Sequence, residues 1–118
     1  CSGKVYYDLF EEREKRGVKD VTILRLEQFY PFPQQSLMKE LGRFPEAEFV
    51  WCQEEPKNQG GWSFVEPYLE WSLDRLGARH NRARYVGRNA AASVATGLAS
   101  RHKAEQEALV NEAITIGA

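Results

Sequence analysis

The pattern of hydrophobic and polar positions is organised around one stretch near the middle of the chain. Phe49 to Cys52 are four apolar residues in a row, followed by three polar residues and Pro56. A segment without polar alternation buries both faces, as a central strand of a parallel sheet covered by helices does. Proline cannot donate to a sheet ladder, so the predicted strand over 49–54 should stop at Pro56.

Two further strands are predicted, one on each side of this stretch in the sequence. Segment 21–26 is rich in β-branched residues, which indicates a second buried strand. Segment 83–86 is short and contains Arg84-Tyr85-Val86, which indicates a third strand.

Helical spacing of apolar residues appears before, between and after these strands. A first helix is predicted to begin near Ser2, a suitable N-cap, and to end at Gly17. A second helix starts with Pro33 at its first helical position and ends at Pro45.

The third and fourth helices follow the two later strands. The third lies between Gly61 and Gly77, and Pro67 is tolerable there only within or near the first turn. The fourth carries apolar residues from Leu98 to Ile114. Strands alternating with helices predict an α/β fold of three layers, a mainly parallel sheet flanked by helices.

Length, charge and cysteine content narrow the class of protein. The chain has 118 residues, 42% hydrophobic and 28% charged, which suits one globular domain. A net charge of -1 argues against a nucleic-acid surface. No apolar run approaches the roughly 18 residues of a membrane span. Cys1 and Cys52 form no CxxC pair, which suggests a reducing compartment and makes a metal site an unfavoured interpretation.

Four loops should meet at the carboxyl edge of the sheet, where parallel α/β proteins bind ligands: 1–4, 27–33, 54–61 and 87–97. Ser2, Gly3 and Lys4 could bind an anion at a helix start, with Arg88 converging on the same place. The competing interpretations are a simple helix cap for the first three and an interface salt bridge for Arg88.

The remaining polar and aromatic residues offer little chemistry. Glu54 and Glu55 are adjacent on a strand and point to opposite faces, so they are poor catalytic partners. We expect that one caps a helix or pairs with an arginine while the other meets a neighbouring domain. Cys52 is expected to act as a small buried hydrophobe. Trp51 and Trp62 are more typical of core than of a ligand platform, and the two histidines, at 80 and 102, are expected to be solvated. No Ser-His-Asp or Cys-His arrangement can be assembled.

The chain resembles the C-terminal domain of the thiamin-diphosphate-dependent, decarboxylating component of 2-oxoglutarate dehydrogenases, a transketolase-like domain. The resemblance covers essentially the whole chain and rests on four motifs in order: CSGKVYYDL at 1–9, RLEQFYPFP at 25–33, WCQEEPKNQGGW at 51–62, and YVGR at 85–88 with Ala92-Ser93. Two positions depart from the usual pattern, Val94 where proline is common and Gly61 where alanine is common.

The resemblance implies that the chemistry lies elsewhere in a longer multidomain enzyme of the tricarboxylic acid cycle. Thiamin diphosphate and magnesium would be bound by two preceding domains across a dimer interface, with no cofactor or catalytic residue in this chain. The enzyme would pass a succinyl group to a lipoyl-bearing succinyltransferase component. It would lie in the cytoplasm of a bacterium or in the mitochondrial matrix of a eukaryote. The family pattern also places a strand before Cys1, and we treat residues 1–118 as one domain of a larger protein.

The loop 54–61 is predicted to form an interface with other domains or with the second subunit of a homodimer. Its candidate contact residues supply hydrogen-bonding groups, a stiff proline, a glycine for close approach and one large apolar anchor. They are Glu54, Glu55, Pro56, Asn58, Gln59, Gly60 and Trp62. The alternative is a free-standing small α/β module that binds an anion or effector at Ser2.

Overall fold

The computed structural model describes residues 1–89 and 99–115, with side chains in the last helix from residue 103 onward. The elements in chain order are α1 (Val5–Arg16), α2 (Gln34–Leu41), β1 (Val50–Pro56), α3 (Trp62–Leu76), β2 (Arg84–Arg88) and α4 (Ala99–Ile114). Within these residues no helix is long and apolar enough to cross a membrane.

The two strands form a parallel pair between two layers of helices. Trp51 is in register with Tyr85 and Cys52 with Val86, and the register shifts between Cys52 and Pro56. Side chains alternate across β1 because successive strand residues face opposite sides. Cys52 therefore packs against α1 and α4, while Trp51 packs against α2 and α3. The predicted three-layer α/β architecture is confirmed.

Each helical layer buries one apolar cluster against the sheet. The first cluster joins α1, α4 and both strands; its buried members are Val5, Leu9, Cys52, Val86, Leu109, Val110 and Ile114. The second joins α2, α3 and β1; its buried members are Leu41, Trp51, Trp62, Val65, Leu69 and Leu73.

Two helix ends follow the sequence prediction closely. Gly17 ends α1 and Gly77 ends α3, and both adopt a left-handed conformation with φ of 66°. Glycine reaches that region without the strain a Cβ atom would add, so the chain turns there. The apolar run of β1 is buried at Trp51 and Cys52 and half-buried at Val50.

The predicted strand over 21–26 is wrong as a member of the sheet. The segment is outside the assigned strands, although its side chains do enter the interior. Val21 and Ile23 contact the first apolar cluster, while Leu24 and Leu26 contact the second. The predicted burial is met only in part, because these four side chains are half-buried while Thr22 is exposed. Among the described residues its backbone bonds to Cys1, whose N–H donates to Leu24 O at 3.2 Å and whose carbonyl accepts from Leu26 N–H at 2.8 Å, and to the side chain of Arg13, whose Nε donates to Val21 O at 2.6 Å.

Several element boundaries also differ from the prediction. Lys4, not Ser2, occupies the N-cap position of α1, and it makes no side-chain cap. Pro33 precedes α2, which already ends at Leu41 before Gly42 and not at Pro45. Pro56 is the last residue of β1. The register with β2 shifts between Cys52 and Pro56, so fewer hydrogen bonds of the ladder are required from the proline.

Candidate functional site at the carboxyl edge of the sheet

Gln53 organises the loop that leaves β1. Its side chain is 2% exposed, and the Nε2 amide donates to the carbonyls of Pro56 at 2.9 Å and Gln59 at 2.8 Å. Its Oε1 accepts the indole N–H of Trp51 at 2.9 Å and the backbone N–H of Trp62 at 3.0 Å. One buried amide therefore satisfies backbone groups at the end of β1, in the loop and at the start of α3.

Close packing fixes the glycines of the same loop. Gly60 has φ of 66°, and a Cβ there would meet the Glu55 side chain at 3.0 Å. At Gly61 a Cβ would lie 2.7 Å from Phe29 Cζ and 3.1 Å from Trp51. The loop is therefore held against the 27–33 segment, and the two loops predicted to meet at this edge do meet.

Glu54 pairs with basic and amide groups inside the domain. Lys4 Nζ lies 3.2 Å from Glu54 Oε1, and Gln106 Nε2 donates to the same oxygen at 2.9 Å. Gln106 also donates to Asp8 Oδ2 at 2.8 Å. Through these contacts Glu54 joins α1, β1 and α4 in one polar network.

Arg88 belongs to this network and is largely buried, with 9% of its side chain exposed. Its Nε donates to Glu105 Oε2 at 3.0 Å, and its guanidinium also donates to Gln106 Oε1 and to the backbone carbonyl of Glu54. Arg88 and Lys4 therefore approach the same residue, Arg88 at the backbone carbonyl of Glu54 and Lys4 at its carboxylate.

The helix start at Ser2–Lys4 likewise faces an internal carboxylate. Gly3 N–H donates to Glu27 Oε1 at 3.0 Å, and Arg25 Nε donates to the same oxygen at 2.5 Å. The Gly3 hydrogen bond and then the Arg25 contact hold the pKa of Glu27 below its usual range. A ligand anion at this helix start would have to displace Glu27.

Burial shifts the pKa of two titratable side chains in the strands, Cys52 and Tyr85. Burial raises the pKa of the Cys52 thiol to about 12, so the thiol stays protonated and unreactive near neutral pH. Burial also raises the pKa of Tyr85, whose hydroxyl donates to Arg88 O at 2.6 Å. Neither group has the electropositive, accessible setting of a nucleophile.

The predicted interface residues divide into an exposed set and a buried set. Asn58 and Gly60 are exposed, and Glu54, Glu55 and Gln59 are half-buried. Pro56 is buried, and Trp62 is only 6% exposed because it packs inside the second apolar cluster. In this domain Trp62 is a core residue, as the competing sequence interpretation had it.

An exposed aromatic surface was missed by the sequence reading. Its outward-facing members are Tyr30 (88% exposed), Phe64 (40%), Tyr68 (38%) and Trp71 (45%). Phe32 stacks on Tyr68 with ring centroids 4.3 Å apart, and Phe29 lies 5.9 Å from Phe64. The spacing of 64, 68 and 71 along one helix could have revealed this stripe, which we call the aromatic surface.

The described residues offer no group of three or more metal-binding side chains. His80 is exposed as predicted. The side chain at 102, most of the fourth loop with Val94 and Ala92-Ser93, and Leu98 of the predicted fourth helix lie outside the described residues. Within the described part, the carboxyl edge holds paired carboxylates, a buried amide and aromatic rings.

Comparison with known proteins matches this architecture to one family. A family model described as "2-oxoglutarate dehydrogenase C-terminal" matches residues 1–114. The chain is 63% identical over 114 residues to proteins named "2-oxoglutarate dehydrogenase E1 component" from Brucella anthropi, Brucella ovis and Brucella canis. Each match covers 97% of this chain but only 11% of the relative's length. The chain therefore belongs to the family of 2-oxoglutarate dehydrogenase C-terminal domains.

Proposed function

We propose that this chain is a packing and assembly domain of a 2-oxoglutarate dehydrogenase E1 component. The complete enzyme would decarboxylate 2-oxoglutarate oxidatively and pass the succinyl group to a lipoyl-bearing succinyltransferase component. The domain would supply contacts to the other domains of the same enzyme and to the second subunit of a homodimer. The identity to E1 components supports the enzyme assignment.

The aromatic surface is the observation that carries the packing role. Three large aromatic side chains of α3 stay exposed, as does Tyr30 on the loop before α2, whose Phe29 and Phe32 contact the rings of α3. Contiguous apolar surface of this kind marks interaction sites on soluble domains. Aromatic residues are also the side chains most enriched among interface residues that dominate binding energy.

Thiamin diphosphate and magnesium would then be bound outside this domain. Among the described residues, the basic groups at the carboxyl edge already contact carboxylates, as Lys4 does with Glu54 and Arg88 with Glu105. A diphosphate would meet negative charge there, which disfavours its binding. The bacterial relatives support a cytoplasmic location.

The alternative of a free-standing anion-binding module has less support. Its central donor, Gly3 N–H, already binds the Glu27 carboxylate. An effector could bind at Ser2–Lys4 and Arg88 only by exchanging places with the carboxylates that now occupy these donors.

A pair of substitutions in the full-length enzyme tests the packing role. Changing Tyr30 and Trp71 together to serine should shift sedimentation from dimer towards monomer or open the contact with a neighbouring domain to proteases. Turnover per remaining intact dimer should change little, because no catalytic group is removed. The exposed α1 residue Glu11, changed to serine, is the matched surface control. A fully assembled, protease-resistant double variant would overturn the proposal.

A further inference from the structure

Next to the aromatic surface, α3 carries a row of carboxylates, which we call the acidic row. Its members are Glu66, Glu70 and Asp74. They follow one another at intervals of four residues, which places them on one side of the helix. Asp74 comes three residues after the exposed Trp71, so the acidic row borders the aromatic surface along α3.

Two of these three carboxylates are available to a partner. Glu70 Oε1 lies 3.1 Å from Arg82 Nη2 and is neutralised within the domain. Glu66 and Asp74 are exposed, and their carboxylates form no ion pair or hydrogen bond with the rest of the described chain. The outward half of α3 therefore offers aromatic rings on one side and two uncompensated negative charges on the other.

Arg75 shows how a cation sits on this surface. Its guanidinium carbon lies 4.6 Å from the centroid of the Trp71 ring, which is within the range of cation–π attraction. In the part of the chain that the structure describes, the rings of Tyr30, Phe64 and Tyr68 have no such cation over them. Those rings and the two carboxylates attract the same kind of group, which is a cation.

A second copy of this face is a poor partner for it. A two-fold contact with antiparallel α3 helices would set one acidic row against the other, and carboxylates repel each other. A two-fold contact with parallel helices would set the acidic row against the rings, whose faces are also negative. The surface that covers this face therefore differs from it in composition.

We propose that the aromatic surface and the acidic row together bind a basic, arginine-bearing segment of another domain of the same enzyme. Arginine suits both features, because its planar guanidinium stacks on aromatic rings and also binds a carboxylate through two hydrogen bonds. The relatives are far longer than this chain, which covers 11% of their length, so most of the enzyme lies outside this domain and can supply the segment. The inference rests on the proposed packing role and adds the charge of the partner to it.

Oxidation of the Trp71 ring by hydroxyl radicals in the full-length enzyme reports whether the segment is bound. Glu66→Lys with Asp74→Lys should raise the oxidation rate of Trp71 by about 5-fold or more at low salt, because attraction becomes repulsion. Glu66→Gln with Asp74→Asn keeps the shape and only removes the attraction, so it should raise the rate by about 2-fold. Trp62, which is buried in the core, should stay protected in both variants and shows that the domain remains folded.

The matched control is Glu11→Lys with Glu107→Lys. Both glutamates are exposed and lie on α1 and α4, in the opposite helical layer. The pair changes the net charge by the same amount as the charge reversal on α3. It should leave the oxidation rate of Trp71 nearly unchanged, since distant sites act independently.

Salt gives a second readout on the unsubstituted enzyme. Raising NaCl from about 0.05 M to about 0.5 M screens exposed charges and should raise the oxidation rate of Trp71 by about 2-fold or more. A protected Trp71 that responds neither to salt nor to the charge reversal would overturn the basic partner and leave the packing role in place. Oxidation of Trp71 in the unsubstituted enzyme at the rate of the unfolded chain would overturn the packing role and this inference together.

Discussion

Gln53 Oε1 accepts the backbone N–H of Trp62 at 3.0 Å, which ties the end of β1 to the first residue of α3. The same side chain donates to the carbonyls of Pro56 and Gln59 from its other atom. The conformation of the 54–61 loop therefore depends on an amide that both donates and accepts.

Replacing Gln53 by glutamate should destabilise the carboxyl edge strongly. The shape is retained, but a carboxylate oxygen replaces the donor and faces carbonyl oxygens in a buried place. We expect the local free energy of unfolding to fall by about 3 kcal/mol, measured by hydrogen exchange of β1 amides in the full-length protein. Gln35→Glu, on the exposed side of α2, should change it by less than about 0.5 kcal/mol. Equal effects would refute the role of Gln53.

The two tryptophans of α3 should respond differently to truncation. Trp62→Ala removes a buried core side chain, so it should lower the free energy of unfolding of the domain by about 3–5 kcal/mol. Trp71→Ala removes an exposed ring and should cost the domain about 1 kcal/mol or less while weakening assembly of the full-length enzyme. Sedimentation and hydrogen exchange on the same two samples separate these effects. If the Trp62 variant keeps the hydrogen-exchange protection of the core but no longer sediments as a dimer, Trp62 belongs to the interface instead.

Cys52 should resist alkylation in the native protein. With its pKa raised to about 12, almost no thiolate is present at pH 8, and reaction with iodoacetamide should be about 100-fold or more slower than for the unfolded chain. Half-buried Cys1 is the internal comparison. Rapid native labelling of Cys52 would show that the strand interior is open to solvent.

The same shift gives a direction for the pH dependence of stability. The unfolded thiol has a pKa of about 8.5, so above that pH the unfolded state loses the proton while the native state keeps it. The contribution of Cys52 is therefore fully present below about pH 8.5 and is lost as pH rises towards about 12. Cys52→Ala should remove this part of the alkaline decline in thermal stability.

Arg88 and Lys4 should contribute unequally although both contact Glu54. Arg88→Ala removes the largely buried guanidinium that binds Glu105, Gln106 and the Glu54 carbonyl, and should lower the free energy of unfolding by about 3 kcal/mol. Lys4 is 76% exposed on its side chain, so Lys4→Ala should change it by less than about 1 kcal/mol. Denaturant unfolding of both variants decides this, and similar losses would mean that the network is a surface feature.

The sequence predicted those features of the fold that depend on residues close together in the chain. Gly17 and Gly77 end their helices because only glycine adopts φ of 66° without strain. The apolar run at Trp51-Cys52 became the buried strand because both of its faces needed cover.

The sequence did not predict features that depend on contacts between residues far apart in the chain. Ser2 does not cap α1, because the helix begins at Val5 with Lys4 in the N-cap position, and the Gly3 N–H before it is bound by Glu27 from a different segment. Gln53 looked like the end of an apolar run, but its burial depends on carbonyls and a helix start that fold back over it. Segment 21–26 has the composition of a strand but lies outside the assigned strands, because composition alone does not determine whether a segment finds a strand to pair with.

Hydroxyl-radical footprinting of the assembled full-length enzyme tests the packing role most directly. Tyr30 and Trp71 are exposed in this domain by itself. Their rate of oxidation in the full-length enzyme therefore reports whether another surface covers them. The proposed function predicts that both rings are oxidised at least about 10-fold more slowly in the enzyme than in the unfolded chain, as expected for side chains at an interface centre. Oxidation at the rate of the unfolded chain would mean that the aromatic surface faces solvent and would contradict a packing role.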